Sequence, residues 1–142
     1  MTISDIDRSL FKFLYDTFEV PKGIKIFDNV HYVDFTTFDK WIVIDTLSNS
    51  TGSVPRANYY LHISLKNGLR NEKLVLNRFV DEVCAQLNPM RRIDVYDDLT
   101  GVLKGEMEVC ETSLTPILQH SGGGSFRSLA VGLVYAGEVP LV

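Results

Sequence analysis

The sequence predicts an α+β fold, a two-layer sandwich in which a mixed, mostly antiparallel sheet carries two main helices packed on one face. Three observations predict it. Two segments carry a single apolar stripe at helical spacing, several others alternate apolar and polar residues, and the order along the chain is helix, strands, helix, strands. A helix with one apolar stripe must bury that stripe on a sheet, and strands joined by tight turns pair antiparallel. The 142 residues match the size of one ordinary domain, 1–142, and no internal repeat is visible.

The elements follow in order. "SDIDRSLFKFLYDTF" reads as a helix over 4–18, with Ser4 as N-cap and Asp7 completing a capping box. Ile6, Leu10, Phe13, Leu14 and Phe18 fall on one side of it, and Pro21 and Gly23 end it. "IKIF" (24–27) and "WIVIDTLS" (41–48) read as strands. The polar stretch 49–58, with Gly52 and Pro55, is a long loop between strands. "YYLHISL" (59–65) alternates, with Tyr59, Leu61, Ile63 and Leu65 on one face and Tyr60, His62 and Ser64 on the other. A second helix spans 71–88, with Asn71 as N-cap and Leu76, Phe79, Val80, Val83, Cys84 and Leu87 as its stripe; Pro89 closes it. Residues 91–118 read as two strands around a turn at Asp98–Gly101. The last strand sets Leu129, Val131, Leu133 and Tyr135 against the small residues Ser128, Ala130 and Gly132.

Composition narrows the function. The net charge is −4, from 18 acids and 14 bases, which argues against a general nucleic-acid binder. Cys84 and Cys110 form no C-x-x-C pair and have no histidine at metal-ligand spacing, so they read as free, reduced thiols. The start "MTISDIDRSL" is unlike a signal peptide, and no apolar run approaches the roughly 20 residues of a membrane helix. Synthesis in the cytoplasm, with no membrane partner, is the expectation.

Candidate sites are sparse. "QHSGGGSFRS" (119–128) carries Gly122, Gly123 and Gly124, but a phosphate loop needs a lysine and a following helix, and here Arg127 and a strand follow. The loop is then either a flexible hairpin tip or a segment that orders on meeting a partner. His120 and Ser121 are adjacent on that loop, which does not fix hydrogen-bond geometry, and His31, His62 and His120 read as surface residues. Asp45 interrupts an apolar strand and is the carboxylate best placed for acid–base work; Glu106 and Glu108 share one strand face, and Asp97 and Asp98 sit in a turn as solvated acids. Five aromatic residues in 27–41, Phe27, Tyr32, Phe35, Phe38 and Trp41, read as core and subunit interface. No catalytic, cofactor or metal site is expected, although a small ligand-binding or hydrolytic domain using Asp45, His62 or His120 is the competing class.

The layout resembles the tail-terminator proteins of long-tailed bacteriophages, also called tail-completion proteins, to which neck proteins are related. The resemblance runs from the first helix through the long polar loop after "WIVIDTLS" and the helix "NEKLVLNRFVDEVCAQLN" to the closing strand "SLAVGLVYAGE". It implies a structural virion protein: a homohexameric ring that caps the tail tube, ends its polymerisation and meets the head connector, with DNA only passing through the lumen. A head-completion protein or baseplate adaptor shares the same implication. It also implies interface roles: Glu106 and Glu108 toward the lumen, Gly122, Gly123, Gly124 and Arg127 toward a partner ring, and Ser128, Ala130 and Gly132 as a subunit patch.

Overall fold

The structure, a computed structural model, describes residues 1–28, 37–50, 54–120 and 123–138. Helix α1 (Ile3–Leu14) leads into β1 (Lys25–Asp28), β2 (Lys40–Ser50) and β3 (Arg56–Leu65); helix α2 (Glu72–Gln86) follows, then β4 (Arg92–Tyr96), β5 (Leu103–Leu114), β6 (Leu118–Gln119) and β7 (Ser125–Glu138). The strands form one mixed sheet in the order β1-β2-β3-β7-β5-β4, with β6 beside the start of β7. Among the described residues only β1 and β2 run parallel. The fold is therefore α+β, with a seven-stranded sheet that curls into a half-barrel.

The curl has a structural consequence. α1 packs against β4 and also against β1, the two ends of the strand order. The edges of a flat sheet of six strands would lie roughly 24 Å apart, whereas α1 has 12 residues and is about 18 Å long. Curling brings both edges within reach of this one helix. α2 covers the middle of the sheet, against β3 and β7.

The predicted stripes form the core. Ile6, Leu10, Leu14 and Phe18 from the first helical segment and Leu76, Phe79, Val80 and Val83 from α2 join Leu61, Ile63, Leu129, Val131 and Leu133 in one buried cluster. Cys84 packs at its margin, Cys110 is exposed, and both thiols are free. α1 gives way to a π-helical turn at Tyr15–Glu19 and a last turn at Val20–Lys22 that tolerates Pro21; Gly23, at φ +69°, ends it. Asn71 precedes α2 at φ +55°, and its side chain makes no capping bond, contrary to the expected cap.

The first helix also starts earlier than the Ser4–Asp7 pair suggests. Thr2 Oγ1 accepts the Asp5 N–H at 3.2 Å and Asp5 Oδ2 accepts the Thr2 N–H at 2.7 Å, a reciprocal capping box. Asp5 prevails because it is buried and has further partners. Its Oδ1 accepts the Asp98 N–H at 2.8 Å, and Lys104 Nζ lies 3.0 Å from its Oδ2 and 2.9 Å from Asp97 Oδ2. Asp97 in turn accepts the N–H groups of Leu99 and Thr100 and shapes the turn, so it is a structural acid and not merely a solvated one.

Burial alone would raise the Asp5 pKa, but the Thr2 and Asp98 amides and Lys104 outweigh it and hold the carboxyl at about 2. A depressed carboxyl contributes stability above its unfolded pKa that is lost as pH falls through its folded one. Asp5→Asn is expected to cost on the order of 2 kcal/mol at neutral pH. The gap to the wild type should close between about pH 4 and pH 2, which urea titrations at stepped pH would measure; a constant gap contradicts the network.

Candidate functional site

Facing away from the helices, the other side of the sheet collects the polar residues that the strand alternation sends there. His62 on β3 stands level with Val43 on β2 and Ser128 on β7. Its Nδ1 lies 2.6 Å from Ser128 Oγ and its Nε2 3.4 Å from Asp45 Oδ2. Two residues along β3, Ser64 Oγ lies 3.2 Å from His120 Nε2. The His120 ring stacks on Phe126 at a centroid distance of 4.3 Å and on Trp41 at 5.9 Å, and Phe126 meets His62 edge-on. Tyr60 completes the row beside His62.

Asp45, His62 and Ser128 are thus a carboxylate, an imidazole and a hydroxyl in series on three neighbouring strands. The series has the composition of a hydrolytic triad but not its access. Ser128 is only 4% exposed. The His62 side chain is 25% exposed and Asp45 58%, so the carboxylate end faces water while the hydroxyl end is covered. A nucleophile needs the opposite order, with the hydroxyl open to substrate and the carboxylate buried behind the imidazole. What the arrangement does well is satisfy buried polar groups: Ser128, at the centre of the sheet, would otherwise be an unpaired hydroxyl costing about 1–3 kcal/mol.

A groove of about 970 Å³ lies elsewhere, between α1 and the β4–β5 turn, lined by Asp7, Asp16, Asp28, Asp97 and Asp98 with Arg8 and Lys12. The Tyr59 hydroxyl donates to Asp7 at its wall, and burial, reinforced by Asp7, pushes that hydroxyl well above the ordinary tyrosine pKa. The groove and the histidine cluster are on different sides of the sheet. Among the described residues no three His, Cys, Asp or Glu side chains are grouped so as to hold a metal ion, and no helix is long and apolar enough to cross a membrane.

The structure relocates several residues singled out in the sequence. His62 and His120 are half-buried members of the cluster, not surface residues; the reason is the pleat, which sends His62 to the same face as Phe126 and Trp41. His31, Ser121 and Gly122 lie outside the described residues, as do 29–36 of the aromatic stretch; Trp41, at its end, is fully buried. Gly123 and Gly124 do not form a loose finger. Both have positive φ, and a Cβ at Gly124 would stand 2.6 Å from the Leu65 carbonyl oxygen, so Gly124 lies against the end of β3. His120 N–H donates to Gly124 O, and Ser125 Oγ donates to Glu72 Oε1.

Arg127 points to the helix side, where its Nη1 donates to Asn77 of α2 and its Nε to the Thr115 carbonyl. The expected small-residue patch is filled from within: Cys110, Asn58 and Glu111 close over Gly132, and His62 covers Ser128, leaving Ala130 half-buried. Glu106 and Glu108 share a face as expected, but Arg92 on β4 reaches both, at 3.1 and 3.6 Å, which halves their charge. The residues that sequence reasoning missed are Asp5, Arg92 and Lys104, each of which acts through a partner distant in the chain. Only the Thr2-x-x-Asp5 spacing signalled one of them.

No protein-family model matches the chain, and no curated protein matches it either.

Burial, with a contribution from neighbouring His62, lowers the pKa of His120. A histidine held neutral in this way stabilises the fold fully above its ordinary pKa, and that stability is lost as pH falls through about 6.5 toward the folded value. Melting curves from pH 7.5 to 5 should show a larger loss for the wild type than for His120→Phe. Equal losses would place the titration elsewhere.

Proposed function

We propose that this chain is a structural ring protein of the tail-terminator kind. In this reading six copies close a ring on the end of a phage tail tube, stop tube growth and face the head-completion connector. The ring would sit in the neck of the virion after synthesis in the host cytoplasm, and DNA only passes through its lumen. The two helices would form one layer on the sheet and leave the rest of the sheet for assembly. Neither a cofactor nor a catalytic step enters the reading.

The observation that carries it is the far end of the sheet. β2, β3, β7 and β5 are 11, 10, 14 and 12 residues long. Of the two outer members, β5 is exposed at every position from Cys110 to Leu114, and β2 from Leu47 to Ser50. Exposure on both faces of a strand is an expensive way to end a monomer and a natural way to meet a neighbour. The order helix, long hairpin, helix, hairpin, long strand adds support. Native mass spectrometry and negative-stain microscopy of the purified protein test it: a six-membered ring that halts elongation of purified tail tubes is the expected result. A monomer at the highest soluble concentration sinks the reading.

One observation favours a second reading, the 2.6 Å contact between His62 and Ser128. If that hydroxyl were a nucleophile, hydrolysis of activated esters would fall at least about tenfold in Ser128→Ala. Because Ser128 is covered, the expected outcome is background hydrolysis, identical in the two proteins, with the variant losing stability instead.

A further inference from the structure

We propose that copies of this chain join by strand pairing, the outer side of β5 from Cys110 to Leu114 adding antiparallel to the outer side of β2, Asp45 to Ser50, of a second copy. The inference rests on the ring reading and names the contact that would close it.

Among the described residues both edges are open, because the strand recorded beside each one covers only part of its length. β4 accompanies β5 only to the Arg92–Glu108 pair, and the last backbone bonds on that side join Met90 and Arg91 to Val109. Beyond this point Glu111 to Leu114 pair with β7 on one side, and among the described residues no strand lies on the other. β1 accompanies β2 only from Trp41 to Ile44, and among the described residues Asp45 to Ser50 have β3 alone. An unpaired strand edge is a row of free N–H and C=O groups, and it is the commonest template for chain-to-chain pairing.

The two edges also match each other. Thr46 pairs with Tyr59, Tyr59 with Val131 and Val131 with Thr112, so the two open segments share rows across the sheet. Three antiparallel steps separate β2 from β5, so the two strands run in opposite directions. A neighbour set beside the first copy in the same orientation therefore meets β5 with its own β2 antiparallel, in continuation of the sheet. That contact is head to tail and repeats, which is what a ring requires.

The side chains agree with this use. Monomeric edges are usually blunted with lysine or proline. The segments "DTLSNS" and "CETSL" contain neither, and Pro55 and Pro116 fall just outside them. Their two acids have partners within the chain: Asp45 lies 3.4 Å from His62 Nε2 and Glu111 3.5 Å from Arg56. On the shared row system Asp45 stands level with Ser113 and Glu111 with Ser48, so pairing at that level opposes neither acid to the other.

The test uses the full chain. In Asn49→Cys, a short bismaleimide should link the new thiol to native Cys110 of the next copy and give a ladder of covalent oligomers; adding Cys110→Ser should abolish the ladder. Thr112→Lys and Asn49→Lys, at exposed edge positions, should each reduce the assembly to monomer in native mass spectra while the melting temperature changes little. A ring that persists in both lysine variants, with no ladder from Asn49→Cys, overturns the strand contact and leaves the ring itself standing. A ladder that closes at a number other than six supports the contact and refutes the hexamer. A wild-type protein that is monomeric throughout overturns both.

Discussion

Everything in this structure depends on the pairing of β3 with β7. Ten consecutive residue pairs, from Arg56–Val134 to Leu65–Ser125, join segments far apart in the chain and place them at the centre of the sheet. All other strands attach outward from this pair, and α2 packs on it. Its register decides which side chains enter the core, since a slip of one residue would exchange Leu61 and Ile63 for Tyr60 and His62. Gly124 sits at the start of that register. Gly124, with positive φ and no side chain, is the residue that lets the chain turn against the Leu65 carbonyl and enter β7 opposite it.

The same pairing explains why the polar face looks like a catalytic site without the access of one. Once β3 and β7 are in register, His62 and Ser128 are forced to be neighbours and must hydrogen-bond or remain unsatisfied. Asp45 then meets His62 across β2 at little cost, because its own carboxylate stays in water. Stacking of His120 between Trp41 and Phe126 closes the end of that face. The chemistry of these groups is spent on one another.

Closure at the opposite end is electrostatic. Buried Asp5 joins the start of α1 to the β4–β5 turn through the Asp98 amide and Lys104, and so ties the helix to the strand farthest from β1. Most other ion pairs here, such as Lys12–Asp16 and Lys22–Glu82, are exposed on both sides and contribute little. Asp5 differs because it is 2% exposed and its partners are fixed by the fold.

The sequence by itself determined most of the elements and their inward faces, although the ends of the stretch 49–58, read as loop, belong to β2 and β3. Period-two alternation in 59–65 and 125–135 and the stripe at Leu76, Phe79, Val80 and Val83 are local signals, set by backbone geometry and the need to bury apolar area, and each was legible without a partner. So was the fold class, because one-striped helices leave few alternatives. Tertiary structure alone decided that β1 runs parallel to β2, that a short β6 separates from β5 after Pro116, that the sheet curls, and that Arg127 turns toward α2. It also decided the fate of the candidate site residues: His62 and His120 went inward, Gly132 was covered by Cys110 and Asn58, and Arg92 was set between Glu106 and Glu108. These are contacts between residues distant in sequence, and a linear pattern carries no term for them. The edges left open among the described residues at Cys110–Leu114 and Asp45–Ser50 belong to the same class, because an edge is defined by the strand beside it and not by its own sequence.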